Sequence, residues 1–400
     1  VKLPENANVL LISVDSLRAD MPWSGYPRDI APNLTALEKK SVSFTHSYAV
    51  SSYTSMSLGG LLSGRYPSEL KRDGFFFGTY PKENLFFPEL LQAAKVKTVS
   101  AHAHGYFKDA GFQQGFDSWE LVPNLKWNNT TDENVTGEQH EKLAEKLLTS
   151  ATPEGDATSR FFAWFHFLDP HDMYMAHDAD GIPPFGKKPR DKYDAEVLYT
   201  DQKLGKLLDF VSRAPWKDRT VIIVTADHGE AFGEHNQFVH GFELWENLVR
   251  VPLFFYVPGV APKRLDTEVS AIDIAPTILE MMGVPKDPAM EGRSLLPSIL
   301  AGTEPEARDV IVDLPDTSDN ERRRGLVFGG KKLIAFGADT AMREFDLGTD
   351  PGEEHPQTSG DDFAAMVKRY KAASANIKDV APYACQKNCL NRAYLNQGTK

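Results

Sequence analysis

The sequence predicts an α/β fold, a large mainly parallel sheet sandwiched by helices, followed by a small C-terminal α+β subdomain. Three observations predict it. Short apolar β runs alternate with helical patterns along most of the chain. Several of those runs are apolar almost throughout, as strands buried on both faces must be. Asp15, His102, Asp169 and Asp227 each fall just after such a run, where the loops of such sheets gather chemistry.

The elements follow in order. Strands are expected at Val9–Val14, Lys97–Ala101, Phe161–Phe167, Val221–Thr225 and Leu253–Val257. Helical patterns cover Pro32–Lys40, Phe87–Ala94, Glu138–Thr149, Ala195–Arg213 and Asp273–Met282. Near Glu304 the texture changes to short meander strands, at Val310–Val312, Gly325–Phe328, Lys331–Phe336 and Met342–Asp346, and then a helix around Asp362–Ile377. This divides the chain into residues 1–303 and a subdomain with its tail, 304–400. Asn124–Glu138 is polar and reads as a surface loop, with Asn-x-Thr triplets that matter only in a eukaryotic secretory pathway.

Four hundred residues with 41% hydrophobic and 25% charged content can bury a sizeable core without staples. A net charge of -12 excludes an electrostatic nucleic-acid binder. It leaves phosphate-bearing substrates open, because a bound divalent metal inverts the local field. Cys385 and Cys389 read as a local disulfide, or else two free thiols. No run approaches the roughly 20 apolar residues that span a bilayer. Val1 lies only a few residues before a buried strand. An export signal or membrane anchor is therefore expected to have been removed upstream, placing the protein in the periplasm or outside the cell.

Candidate chemistry lies in five segments. Asp15 closes the first strand, and a solvated strand-end Asp would explain it alone. Thr54 starts the helical run Thr54-Ser-Met-Ser-Leu-Gly-Gly-Leu-Leu-Ser63, where a hydroxyl meets the positive end of the helix dipole. A capping Thr before small packing residues reads equally well. Asp227-His228-Gly-Glu230 and His235…His240-Gly241 put three histidines in one polar loop, which packing does not explain. His166, Asp169 and His171 end another β run, and His102 and His104 share one side of an extended segment. Structural hydrogen bonding is the competing account of these last two groups.

With these residues in view, the chain resembles the sulfatase family and its alkaline phosphatase superfamily relatives over residues 8–350. Leu61-Leu-Ser-Gly-Arg65-Tyr-Pro67 is similar to that family's Leu-Leu-Thr-Gly-Arg-Tyr-Pro. His240-Gly…Arg250-Val-Pro252 and Phe345-Asp-Leu-Gly-Thr-Asp350-Pro also resemble its segments. Formylglycine sulfatases carry Cys or Ser eleven residues before the Arg of that motif, and here the position is Thr54. Thr cannot become formylglycine. Met56 and Leu58 replace the motif's Pro and Arg, and Ser16 replaces the second Asp of an Asp-Asp pair.

Thr54, Ser57 and Ser63, the run Asp227–Gly241, the pair His166 and His171, and Arg18-Ala-Asp20…Gly25-Tyr26-x-Arg28 resemble a Thr-nucleophile branch, the phosphoethanolamine transferases and lipoteichoic acid synthases. The resemblance implies an alkaline-phosphatase-like fold and a metal-dependent phosphoester hydrolase or phospho-group transferase working through a phospho-threonine. It implies one divalent metal on Asp15, Thr54, Asp227 and His228, with Zn²⁺ or Mn²⁺ favoured over Ca²⁺ and a second metal left open. His240 and His171 would neutralise charge or protonate the leaving group. His102, His104, His166 and Asp169 would contact the substrate, a phosphate ester that a lipid could carry. Glu230 would support the ligands from behind. Two alternatives stand beside this: a sulfuric or phosphonate ester hydrolase, and an inactive metal-binding relative. Phe75-Phe76-Phe77 and Phe86-Phe87 are expected to pack in the core or loops. Exposed beside the site, they would favour an amphipathic substrate.

Overall fold

Asn8–Val14 is the strand on which everything else is built. Its run of Val, Leu, Leu and Ile is buried along its whole length, so it needs a neighbour on each edge and a layer on each face. The computed structural model describes residues 2–126, 134–152 and 158–382. In it, Phe161–Phe167 and Thr220–Ala226 flank the first strand, both parallel to it. Lys97–His102 and Ser118–Leu121 extend the sheet in parallel on one side. On the other side Leu253–Tyr256 and Val42–Phe44 run antiparallel to their inner neighbours, and Lys263–Leu265 closes the edge. Eight strands thus form a largely parallel sheet among the described residues.

Side chains of successive strand residues point to opposite faces, and the core divides accordingly. Val9, Leu11, Phe162, Trp164, Val221 and Ile223 pack on one face, with Leu58, Leu61 and Leu62 of the helix Thr54–Ser63. Leu10, Ile12, Val14, Phe161, Ala163, Phe165, Ile222 and Val224 pack on the other, with Leu204 and Leu207 of the helix Pro189–Arg213. Helices on both faces are what an almost continuous apolar strand requires.

The C-terminal strands Val310–Leu314, Arg323–Phe328, Lys331–Phe336 and Ala341–Asp346 form a separate antiparallel sheet in chain order. The helix Asp361–Ser374 lies against it. Ile311, Leu326, Leu333 and Tyr370 belong to the same apolar cluster as Val9 and Leu11, so this sheet has no core of its own. Two buried charge clusters tie it down. Lys332 meets Glu246 and Glu353 at 3.0 and 2.9 Å, and Arg324, paired with Asp313 at 3.0 Å, donates to Ser68 Oγ at 3.1 Å. Among the described residues no helix is long and apolar enough to cross a membrane. Cys385, Cys389 and residues 127–133 of the polar loop lie outside the described residues.

Candidate active site

Strand parity assembles the site. Ser13 pairs with His166 on one side and with Thr225 on the other. Residues 9, 11, 13 and 15 therefore share a face with 162, 164 and 166 and with 221, 223, 225 and 227. That face is the one covered by the helix Thr54–Ser63. Asp15, His166 and Asp227 meet at the strand ends, each offering a ligand atom within 4.8 Å of the others, all buried.

The helix brings Thr54 to the same point. Ser55–Ser63 are all buried, and Thr54 alone in the helix is partly open to solvent. Gly64 ends the helix in the left-handed conformation, at φ 64°, with its N–H on Gly60 O. Thr54 Oγ1 lies 3.4 Å from Asp15 Oδ2 and 3.2 Å from His228 Nε2. The hydroxyl of Ser57 donates to the Asp227 carbonyl, fixing the helix to the loop that carries His228. Gly229 is required there, because a Cβ at that position would lie 2.0 Å from Asn247 O.

The donor set fits a divalent cation. Asp227 Oδ1 accepts N–H groups of His228 and Ser16 at 2.9 and 3.3 Å. Asp227 Oδ2 has no hydrogen-bond partner and faces His228 Nε2 and His166 Nε2 at 3.3 and 3.7 Å. An orphaned buried carboxylate oxygen is costly unless a cation meets it. His166 Nδ1 is engaged by Ser13 Oγ at 2.7 Å and His228 Nδ1 by Gly229 O at 2.8 Å. Both rings are thus held with Nε2 turned inward, the arrangement that orients imidazole ligands. Burial alone would raise the Asp15 carboxyl, but His171, His166 and His228 hold it well below the usual range. Burial lowers His228 despite Asp227, whereas for His166 the Asp15 and Asp227 carboxylates outweigh burial and raise it.

A row of imidazoles leads outward. His240 lies 4.2 Å from His228 and 4.9 Å from His171 between ring centroids, and His240 and His171 are partly exposed. Burial, reinforced by His171, brings His240 down to about 4. Glu230 Oε1 holds His240 Nδ1 at 3.0 Å, and Tyr174 donates to Glu230 Oε2 at 2.8 Å. Burial pushes the Glu230 carboxyl up to about 7.

Several expected residues do other work. His166, expected at the substrate, faces the two carboxylates instead, because its register opposite Ser13 aims it at Asp15. Asp169 accepts the backbone N–H and hydroxyl of Thr136 at 2.7 and 2.9 Å, fastening the start of the helix Gly137–Ala151. His102 is fully buried, bonded to Ser100 Oγ at 2.8 Å and flanked by Phe107 and Trp119, so no substrate reaches it. His104 Nδ1 accepts the Tyr106 N–H and caps the turn Gly105–Lys108. Ser16, at the position of the missing second Asp, donates its hydroxyl to Asp15 Oδ1 at 2.9 Å. Ser13 and Tyr174 were not singled out from sequence. Only strand parity, which puts Ser13 on the face of Asp15, would have marked the first.

Comparisons with known proteins identify the family. A family model described as Sulfatase matches residues 7–284, and one described as N-sulphoglucosamine sulphohydrolase, C-terminal, matches residues 233–379. Human N-acetylgalactosamine-6-sulfatase is 25% identical over 482 residues, covering 98% of this chain and 90% of that one. The structure of BT4656 in complex with its substrate D-glucosamine-2-N,6-O-disulfate aligns with a TM-score of 0.76 at 18% identity, covering 98% of both chains. The phosphonate monoester hydrolase of Agrobacterium radiobacter aligns with a TM-score of 0.73 at 19% identity, covering 93% of this chain and 95% of that one. Sulfuric ester hydrolysis, the alternative in the sequence reading, is better supported by these matches than transfer through a phospho-threonine. With a family model spanning well over half of its length, the chain belongs to the sulfatase family and is a hydrolase of that family.

Proposed function

We propose that the protein is a metal-dependent hydrolase of sulfuric monoesters with Thr54 as its nucleophile. The observation that carries this reading is the partly exposed Thr54 hydroxyl, at a helix N-terminus, within 3.4 Å of Asp15 and 3.2 Å of His228. Asp15, His166, Asp227 and His228 would hold the cation. Their two imidazoles favour Zn²⁺ or Mn²⁺ over Ca²⁺, which takes oxygen ligands. Such a cation lowers the pKa of an adjacent hydroxyl and offsets charge on the ester oxygens.

The chain's own groups supply the rest. Thr54 Oγ1, whose hydroxyl donates to Asp15 Oδ2, attacks sulfur and passes its proton to that carboxylate. The S–O bond to the leaving alcohol breaks, and a proton reaches the departing oxygen from His171, or from Glu230 relayed through the neutral His240 ring. Water then attacks the sulfur of the Thr54 ester, releasing sulfate and restoring the hydroxyl. Residues 1–303 would carry this chemistry, with 304–400 as a subdomain that buttresses the loop around Glu246.

Phosphate or phosphonate monoesters are the second reading. Thr54 itself favours it, because a plain hydroxyl replaces the Cys or Ser from which formylglycine is made. Metal-loaded protein offered 4-nitrophenyl sulfate, phosphate and phenylphosphonate separates the two. Sulfate turnover with the highest kcat/KM supports the first reading, and a preference for the phosphorus esters replaces it with the second.

A further inference from the structure

A cavity of about 310 Å³ lies outside the active site, at the lower end of the size of small-molecule pockets. Three stretches of chain line it: 18–24 after the first strand, 234–250 in the loop that also carries His240, and 351–353 of the C-terminal subdomain. Thr54, His171, His240 and the four candidate metal ligands are not among its lining residues. It is a second place where a small molecule fits, separate from the reacting atoms.

The charges around it are unevenly matched. Glu246 and Glu353 share the Lys332 ammonium. Asp20 and Glu234 belong to a network in which three guanidiniums, Arg18, Arg28 and Arg190, face four carboxylates, the other two being Asp191 and Asp194. One carboxylate is in excess there, and Asp20 and Glu234 are the most exposed of the four, at 42% and 38%. Arg250 is the opposite case. Its Nε and Nη2 donate to one backbone carbonyl, Thr45 O, at 3.1 and 2.7 Å, and among the described residues it pairs with no carboxylate. Nη1 and the second N–H of Nη2 remain, the pair that grips a carboxylate end-on.

An unpaired guanidinium beside surplus carboxylates complements a carboxylate and an ammonium on one small molecule. The ammonium must carry N–H donors, because quaternary ammonium is held by aromatic faces and no Phe, Tyr or Trp lines the cavity. The same wall holds the backbone of Glu230, whose carboxyl supports His240. Arg18 Nη1 and Asn247 Nδ2 both donate to Glu230 O, at 2.8 and 3.3 Å, and the Glu230 N–H donates to Asn247 O at 3.0 Å. A ligand ammonium that draws on Asp20 and Glu234 competes with Arg18 for them and changes the grip of Arg18 on Glu230.

We propose that this cavity is an effector site for a free α-amino acid, which sets its carboxylate on Arg250 and its ammonium on Asp20 and Glu234. It acts on the active site through Arg18 and Glu230. Binding stands on the cavity alone, whereas the effect on turnover rests on the reading of the protein as an ester hydrolase.

The test titrates the metal-loaded full chain with glycine and with three probes that each lack one feature, followed by ligand-observed NMR. Acetate has no ammonium, methylammonium no carboxylate, and glycine betaine no N–H. Glycine is expected to bind at least about tenfold more tightly than each of the three, and about tenfold more weakly to Arg250→Met than to wild type. Glu234→Gln shifts binding the same way and serves if the first variant misfolds. Saturating glycine is expected to change kcat on 4-nitrophenyl sulfate about fivefold in wild type and not in Arg250→Met. Equal glycine binding in wild type and both variants, or acetate binding as tightly as glycine, would overturn the site and leave the hydrolase reading standing. An equal change of kcat in wild type and Arg250→Met, as chelation of the metal by glycine produces, would overturn the effector role. Glycine binding that depends on Arg250 in a protein that cleaves no ester would sustain the site and remove the hydrolase reading.

Discussion

Ser13→Ala tests whether His166 is a metal ligand. Ser13 Oγ is 2.7 Å from His166 Nδ1 and accepts the Trp164 indole N–H at 2.8 Å, and all three residues are fully buried. For His166 Nε2 to offer a lone pair to a cation, Nδ1 must carry the proton and donate it to Ser13. Alanine leaves two buried nitrogens without partners. At about 1–3 kcal/mol each the stability cost is about 2–6 kcal/mol, which a domain stable by about 5–15 kcal/mol survives in most of that range. The larger signal is in metal affinity. Losing the group that orients an imidazole ligand weakens binding about 10–100-fold, or about 1.4–2.7 kcal/mol. Competition against a chromogenic chelator, run with Zn²⁺ and again with Mn²⁺, reads this directly. Ser100→Ala is the control, because Ser100 holds the neighbouring His102 at 2.8 Å and is expected to change affinity less than twofold. Wild-type affinity in Ser13→Ala, or an equal loss in Ser100→Ala, would refute the assignment of His166.

Three further outcomes are expected. Glu230→Ala frees the His240 ring and loses its link to Tyr174, and kcat on sulfate esters should fall about 10²-fold, with Tyr174→Phe losing less; steady-state kinetics at saturating substrate checks both. His140 is fully buried, with Nε2 3.0 Å from Ala101 O, and burial lowers it to about 3. Its neutral form is the folded one, so its stabilising effect is complete above the unfolded value near 6.5 and is lost as pH falls towards 3. Between pH 6.5 and 5 that amounts to about 2 kcal/mol, and urea midpoints of His140→Gln should fall correspondingly less over that range than wild type. Lys332→Met leaves the Glu246 and Glu353 carboxylates facing each other without their cation and should cost about 3–5 kcal/mol. Adding Glu353→Leu should restore part of it, as chemical denaturation would show.

Much of the fold could be read from the sequence because its central strands are apolar on both faces. Phe161–Phe167 has the expected ends, and Val9–Val14, Lys97–Ala101 and Val221–Thr225 differ by one residue at one or both ends. Three strands of the eight-stranded sheet were not expected. Val42–Phe44 and Lys263–Leu265 are three residues long, and Ser118–Leu121 is an edge strand of half-buried residues, so none carries a strong apolar pattern. The helix Pro189–Arg213 begins six residues before the expected Ala195, in a polar stretch where Pro189 starts the first turn. In the site, Asp15, Thr54, Asp227 and His228 stood out through motif and position. His166, 151 residues from Asp15, joins them through register between neighbouring strands, which spacing along the chain does not reveal. The same blindness applied to Asp169: a carboxylate after a strand looks alike whether it faces a substrate or fastens a helix. Phe76 packs as expected, partly buried against the cluster that holds Tyr53 and Met56 and stacked on Tyr53 at 4.0 Å.

The central claim is that Thr54 attacks the ester. Metal-loaded wild-type protein and Thr54→Ala would be quenched in acid during turnover of 2-naphthyl sulfate and weighed intact, with peptide mapping of any adduct. The account predicts a sulfuryl adduct on Thr54 in wild type, and in Thr54→Ala no adduct and turnover reduced at least about 10³-fold. Full activity in Thr54→Ala, or an adduct on another residue, would contradict it.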